Sequence, residues 1–493
     1  MKFSKEEIKR SMLLYAVTDR MWLKEGEDIC DVVEEVVKNG ATFMQIREKE
    51  LDDENFYNEA VRMKEICNEY RVPFVVNDNI DIAIKCGADG VHVGQSDIAG
   101  KDVRAIIGAD MILGISVSTV EEALLAQAAG ADYVGVGAMF ATGTKKDAHS
   151  VTNETLKAIV DAIDIPVVAI GGIGAANLGE LGGTGIDGVA VVSAIFAQEN
   201  PGEATAKLLK LCAETFVENG ALGTALENIR IKQPVMHNIT NYVTVNDCAN
   251  ITLACGASPV MSDNPDEVEE IITVCGGLNI NTGTLTAETT KAMFLAGKKA
   301  NEIGLPAVLD PVGIGSSKVR TDIILDLIDK VHFAVIRGNI SEIKTIIKGE
   351  GNTKGVDADV ADAVTEENLA EAVEFAKAYA KKTGSVIAIT GAIDIVACAE
   401  MAYVIYNGHR MMSRVTGTGC MLSALTASYA ASNPDDLFEA AAAAVISMGV
   451  AGEIAYARLS EKDGNSSYRN YIIDAIYNLS GKELEAKGKY KIM

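Results

Sequence analysis

TFMQIREK, residues 42–49, runs from an apolar stretch into a tail that carries an amide and two cations. The stretch suits a strand, and Gln45, Arg47 and Lys49 recur at a spacing of two, which points all three side chains the same way if the strand continues. The same pattern of apolar run and helical follower recurs in LLYAVTD, PFVVND, GVHVGQ, MILGISV, YVGVGA, PVVAIGG and GVAVVSA, between Leu13 and Ala194. Near-continuous apolar runs alternating with helices mark parallel strands buried on both faces. Eight such units in about 210 residues predict a (β/α)8 TIM barrel, with a doubly wound open sheet as the alternative.

Barrels of this kind keep their chemistry at the C-terminal ends of the strands, and the polar residues fall there. Asn77 and Asp78 end the third run, Gln95 and Asp97 follow the fourth, and Ser116 follows the fifth. Two carboxylates at neighbouring strand ends, facing a basic cluster, suit a Mg2+ that also binds phosphate oxygens. After the sixth run, Thr142, Gly143, Thr144 and Lys145 combine hydroxyls, open amides and a cation, which is phosphate-binding equipment. Gly171-Gly172 and Val192-Ser193 end the seventh and eighth runs, where barrels commonly hold a substrate phosphate. Gly172-x-Gly174 begins like a dinucleotide fingerprint, but Asn177 occupies the third glycine position. The chain has no G-x-x-x-x-G-K-[ST].

The second half alternates strands and helices again, which predicts a mainly parallel sheet covered on both faces. It opens with HNITN at His237 and continues through SPVM, ending at Met261, and GLNINTGTL. Asp310 follows one apolar run, Arg337, Asn339 and Glu342 follow another, and Thr390 ends SVIAIT. VTGTGCMLSA, residues 415–424, reads as an apolar strand leading into a small-residue turn, with Cys420 at the start of a helix. Gly417 and Gly419 let backbone approach a ligand, and the first helical amides have no internal partners, so the turn forms an anion hole. Mg2+ ligands, an arginine and an anion hole are the parts of a phosphoryl-transfer site.

Composition bounds the function classes. The 493 residues are too many for one ordinary domain, and 48% apolar with 5% aromatic residues and 45 Gly fits α/β enzymes. A formal charge of -25 argues against nucleic acid, whose phosphates need Lys and Arg clusters. Nine scattered Cys without C-x-x-C point to free thiols in a reducing, cytoplasmic setting. The start, MKFSKEEIKRSM, is charged and amphipathic, unlike a signal peptide. The apolar stretch from Ala440 to Gly452 is short of a bilayer span, so no membrane partner is expected. Two Gly, polar residues and a Pro in ENGALGTALENIRIKQP place the junction near Asn219 to Leu222. The expected organisation is a barrel over 1–218, a linker over 219–226 and a second domain over 227–493.

QIREK, ND, GQSD, GIS, TGTK, GGI and VVSA, in this order at successive strand ends, resemble thiamine-phosphate synthase over roughly residues 8 to 215. The resemblance implies that Gln45, Arg47, Lys49, Asn77, Ser116 and Lys145 bind hydroxymethylpyrimidine diphosphate, while Asp78 and Asp97 hold Mg2+. It assigns the thiazole phosphate to Thr142, Gly143, Thr144, Gly172, Val192 and Ser193. Arg47, Lys49 and Lys145 would then stabilise departing pyrophosphate, and the thiazole nitrogen would attack the pyrimidine methylene without a general base. One departure is that Phe140-Ala141 precede Thr142 where the family usually has Pro.

HNITN, GASPVM, NTGTL, DPVG, RGN-x-SE, TG and VTGTGC resemble hydroxyethylthiazole kinase, of ribokinase-like fold, over about residues 227 to 485. This implies Met261 and Gly417 on the thiazole alcohol, Arg337 and Thr390 on the co-substrate ATP, and Asp310 and Glu342 at the metal. Cys420 falls at the position of the general base, where related sugar kinases carry Asp. A thiol is a poor base at its reference pKa of about 8.5, so Cys420 is expected to matter less than the glycines around it. Together the resemblances imply a bifunctional enzyme that phosphorylates hydroxyethylthiazole and couples the phosphate to the pyrimidine diphosphate. They also imply a homo-oligomer with kinase sites shared between subunits, as in a trimer. The alternatives are a thiamine-precursor-binding regulator without turnover, and a phosphate-binding barrel fused to another small-molecule kinase.

Overall fold

The computed structural model describes residues 2–95, 102–141, 151–348 and 363–493. The chain divides after Glu218 into two compact units, the second starting at Asn219.

In the first unit, eight strands close into a barrel: β1 Leu14–Val17, β2 Phe43–Ile46, β3 Phe74–Asn77, β4 Gly90–Val93, β5 Ile112–Val117, β6 Tyr133–Val136, β7 Val167–Ile170 and β8 Gly188–Val191. β1 pairs in parallel with both β2 and β8, which excludes the open sheet. The amphipathic start becomes the helix Lys5–Ser11, which opens on a reciprocal cap between Ser4 and Glu7. Phe3, Ile8 and Met12 from this segment join the barrel interior, where Tyr15, Phe43 and Tyr133 form an aromatic cluster with ring centroids 4.5 to 5.9 Å apart. Side chains rather than solvent fill the barrel beneath its polar end.

The second unit holds one sheet of nine strands: β9 Val235–Ile239, β10 Ser258–Val260, β11 Gly277–Asn281, β12 Ala307–Asp310, β13 Val335–Asn339, β14 Val386–Thr390, β15 Asp394–Ala397, β16 Ala402–Ile405 and β17 Tyr490–Ile492, in the order β10-β9-β11-β12-β13-β14-β15-β16-β17. The strands are parallel from β10 to β14, and the last three pairings are antiparallel. Two hydrophobic clusters cover its faces.

Three expectations need correcting here. No strand leads into Val415: the 3-10 helix Arg410–Arg414 does, and Met411 and Met412 pack against the core instead of alternating along a strand. The residues expected as a linker include the first turns of the helix Ala221–Lys232, because Leu222, Ala225 and Leu226 are buried in the second unit's core. The helix around Ala440 to Gly452 is longer than the apolar run, at 21 residues from Leu437 to Ala457. By length and composition it could cross a membrane, but 72% of its most apolar window is buried inside the protein. All nine cysteines are free thiols.

Candidate functional sites in the two units

At the C-terminal ends of the barrel strands a cavity of about 560 Å³ gathers the polar residues that follow the apolar runs, and is lined by Gln45, Arg47, Lys49, Asn77, Asp78, Ser116, Gly172, Val192 and Ser193. Gln45 lies within β2, whereas Arg47 and Lys49 lie beyond it. Each cation has a carboxylate partner: Arg47 Nη1 is 3.3 Å from Asp19 Oδ2, and Lys49 Nζ is 2.7 Å from Asp78 Oδ2. Asp78 itself sits at φ 60°, a left-handed conformation that Asp tolerates better than most residues, and its Oδ1 accepts from Asn77 Nδ2 at 2.6 Å. A non-glycine residue held there beside the Lys49 ammonium marks a site where geometry outranks local backbone preference.

On the other side, Gly171 and Gly172 turn the chain after β7 at φ 103° and 66°. A Cβ on Gly172 would lie 2.5 Å from the Ala141 carbonyl oxygen, so only glycine lets the segment after β6 pack this closely. Thr142, Gly143, Thr144, Lys145 and Asp97 lie outside the described residues.

The second unit builds its site at the ends of β11 to β14, against the helix Thr418–Ser432. Asn281 and Asp310 are register partners on β11 and β12, and Asn281 Nδ2 donates to Asp310 Oδ2 at 2.7 Å. The same oxygen accepts from Ser423 Oγ at 2.6 Å and from Arg337 Nη1 at 3.1 Å. Asp310 Oδ1 is buried with no hydrogen-bond partner, as is Arg337 Nε. Arg337 Nη2 reaches Thr390 Oγ1 at 2.9 Å. Glu342, in the first turn of the helix Ile340–Lys348, accepts from Gly313 N at 3.0 Å and Asn339 N at 2.9 Å, and so fixes the Asp310-to-Gly315 turn.

Burial dominates the electrostatics of this cluster. It pushes the Glu342 carboxyl well up, and the neighbouring negative Asp310 pushes it further. Asp394, at the start of β15, is pushed up to about 7 by burial despite the Gly391 amide and Arg337. For Arg337, burial opposes the charge, but Asp310, Glu342, Cys420 and Asp394 outweigh it and hold the guanidinium firmly protonated. Burial also raises the Cys420 thiol, as does Asp310. Asn241 Nδ2 donates to Cys420 Sγ at 3.2 Å and to Asn281 Oδ1 at 3.1 Å.

Gly417 caps the helix Thr418–Ser432 at φ 94°, and a Cβ there would lie 2.4 Å from Thr244 Cγ2. A Cβ on Gly419 would lie 3.0 Å from both terminal nitrogens of Arg337, so the two glycines seat the helix start on the guanidinium. Met261 directly follows β10 and packs, half-buried, against the core.

The Hydroxyethylthiazole kinase family matches residues 226–482, and the Thiamine monophosphate synthase family matches residues 14–195. A probable thiamine biosynthetic bifunctional enzyme of Schizosaccharomyces pombe is 34% identical over 467 residues, covering 90% of this chain and 89% of its own. This chain belongs to the bifunctional thiamine biosynthetic enzymes. Its kinase half is 59% identical over 266 residues to the hydroxyethylthiazole kinase of Clostridium acetobutylicum, covering 54% of this chain and 97% of that relative. A thiamine phosphate pyrophosphorylase structure from Pyrococcus furiosus is 37% identical, with a TM-score of 0.39, over 42% of this chain and 98% of that one.

The fold thus brings nine of the residues expected in the synthase half to one cavity, and gathers Asp310, Arg337, Glu342, Thr390, Gly417 and Cys420 in the kinase half. Sequence reasoning missed Tyr15 and His92 on the synthase cavity wall, and Asn241, Asn281, Ser423 and Asp394 in the kinase half. Asn241 and Asn281 stood inside the quoted HNITN and NINTG motifs, yet an amide in a turn reads first as a cap.

Proposed function

We propose that the kinase half transfers the γ-phosphoryl group of ATP to the hydroxyl of 4-methyl-5-(2-hydroxyethyl)thiazole, and that the barrel joins the product to hydroxymethylpyrimidine diphosphate, giving thiamine phosphate and pyrophosphate. The observation that carries the reading is the convergence of amide, cations, carboxylate and turn glycines on one cavity of about 560 Å³ in a chain whose other half is a kinase.

In the barrel, Arg47 and Lys49 take the diphosphate, exchanging their carboxylate partners for phosphate oxygens. Asp78 is thereby released to a cation, together with Asp97. Gln45, Asn77 and Ser116 orient the pyrimidine, with Lys145 on the diphosphate. The thiazole phosphate lies on Gly172, Val192 and Ser193, with Thr142, Gly143 and Thr144 as its further partners. The cations stabilise the charge that develops on the leaving pyrophosphate, so no proton need be removed in that step.

In the kinase half, Arg337 and Thr390 hold ATP phosphates, Met261 and Gly417 hold the thiazole, and the amides at the start of Thr418–Ser432 face the transferring group. Asp310 and Glu342 would hold the metal. The partnerless, fully buried Oδ1 of Asp310 fits a cation, and Glu342 keeps a second lone pair on each oxygen after meeting the two amides. Among the described residues no group of three or more His, Cys, Asp or Glu could hold a metal, which fits Mg2+, an ion that would take substrate phosphate and water beside one or two carboxylates. Mg2+, when bound, neutralises phosphate oxygens at either site. Cys420 lies beside the alcohol as a neutral thiol.

Tyr242 and Val243 stand exposed beside Asn241, and such apolar residues at the rim of a site suit kinase sites completed by a second subunit, as in a trimer. The free thiols suit a cytoplasmic location. The test of the metal and substrate roles is calorimetric titration of the pure chain with pyrimidine diphosphate, with and without Mg2+, beside Asp78→Asn. Tight binding that needs both Mg2+ and Asp78 is expected. Equal affinity in all three conditions would remove Asp78 from the metal site.

A further inference from the structure

Beneath the barrel cavity a line of hydrogen bonds crosses the interior and joins two of its walls. Gln45 Nε2 donates to the Tyr15 hydroxyl. The Tyr15 and Tyr133 hydroxyls are 2.8 Å apart, Tyr133 Oη is 2.9 Å from His92 Nδ1, and His92 Nε2 is 2.9 Å from Ser116 Oγ. Gln45, Tyr15, His92 and Ser116 all line the cavity, while Tyr133 is fully buried below it. The barrel clears space for this line: a Cβ on Gly114 would lie 2.3 Å from Tyr133 Oη and 2.5 Å from His92 Nδ1, and one on Gly135 would lie 3.2 Å from His92 Cε1.

The line has one direction. Each phenol has a single proton to give. The Tyr15 oxygen accepts from Gln45, and the acceptor within reach of its own proton is the Tyr133 oxygen, so the Tyr133 proton in turn goes to Nδ1 of His92. A neutral His92 then carries its own proton on Nε2 and gives it to Ser116 Oγ. Ser116 is left with a proton for the cavity, and Gln45, having turned its NH2 inward, is left with Oε1 as an acceptor. Burial pushes both phenols up, so neither drops its proton and breaks the line.

We infer that Tyr15, Tyr133 and His92 are positioning residues that fix the donor and acceptor polarity of the pyrimidine pocket, and so select a ring bearing both an amino donor and a bare ring nitrogen. This rests on the reading of the barrel as the pyrimidine-coupling half. The ring in which a carbonyl and ring N–H replace the amino group and bare nitrogen offers the opposite pattern. To accept it, all five groups must reverse together, because one reversed member would set two protons, or none, between neighbours. Polar sites of this kind reject mismatched analogues far more strongly than apolar ones do.

Two experiments on the full chain test the relay. In wild-type protein with 15N-labelled histidine, with His92 assigned through His92→Gln, the nitrogen shifts are expected to show the proton on Nε2. A proton resident on Nδ1 overturns the relay, whatever the enzyme turns over. In the second, Tyr133→Phe and Tyr15→Phe each break the line while keeping the ring. The ratio of kcat/KM for the amino over the oxo pyrimidine diphosphate is expected to fall from about a thousandfold to below about tenfold, with KM for thiazole phosphate unchanged. An undiminished ratio in both variants overturns the inference, whereas a wild type that couples neither pyrimidine overturns the synthase reading and leaves the tautomer measurement to decide the relay.

Discussion

The two halves handle charge in opposite ways. In the barrel the Lys49–Asp78 pair stands at the cavity mouth, with side chains 54% and 29% exposed. In the kinase half Arg337 and Asp310 pair at 9% and 1% exposure, with Glu342 and Asp394 alongside. Exposed pairs contribute little to stability and exchange partners readily, whereas a buried cluster leaves an uncompensated charge when one member is lost. The synthase half should therefore lose function without losing its fold, and the kinase half should lose both together.

The largest effect expected from this contrast is Arg337→Met, which strands the surrounding carboxylates. It should cost the kinase half about 3–5 kcal/mol by urea unfolding, while Arg47→Met costs the barrel about 1 kcal/mol or less and still abolishes coupling. Equal losses in the two halves would break the comparison. Next come the glycines. Gly417→Ala and Gly172→Ala each place a Cβ at positive φ and within 2.5 Å of a neighbour, so each should destabilise its own half by about 1–3 kcal/mol and silence only that half's activity.

A smaller effect concerns pH. The folded kinase half keeps a proton on Asp394 up to about pH 7, whereas the unfolded side chain, at its ordinary value of 3.8, has already released it. The folded state thus binds more protons between those limits, so stability falls as pH rises from about 4 to about 7 and levels off above. Asp394→Asn, which keeps the acceptor for Gly391 N, should make that part of the kinase unfolding profile shallower, leaving the share of the likewise raised Glu342. An unchanged slope would place the titrating group elsewhere. The smallest effect is Cys420→Ser. With the thiol raised by burial it stays protonated and little thiolate is present to take the alcohol proton, so kinase activity should fall less than about tenfold. Complete loss, with fold and thiazole binding intact, would show that Cys420 is needed as the base.

Legibility followed the same division. The eight barrel strands could be read because strands buried on both faces are written as unbroken apolar runs, and the site residues follow them at fixed ends. Tyr15, His92 and Tyr133 escaped notice for that very reason: inside such a run nothing tells an inward from an outward side chain. The available signal was a mid-strand His followed by glycines in the next two strands: Gly114 is its register partner, and Gly135 lies against its ring. In the kinase half Asp310, Glu342 and the helix turn stood in readable motifs, and the structure brings them to one cluster around Arg337. The edge strands β15 to β17 could not, because β17 is three residues long and its pairing with β16 is set by the return of the chain's end from nearly ninety residues away. The stretch before Val415 resembled a strand only in composition.

The most direct test of two independent sites in one chain is a coupled assay on three proteins: wild type, Arg337→Met and Lys49→Met. Each receives hydroxyethylthiazole, pyrimidine diphosphate, ATP and Mg2+, then the same mixture with thiazole phosphate replacing the alcohol and ATP. Wild type should form thiamine phosphate in both, Arg337→Met only in the second, and Lys49→Met in neither. Product from Arg337→Met in the first mixture, or none from wild type in the second, would contradict the assignment of the two sites.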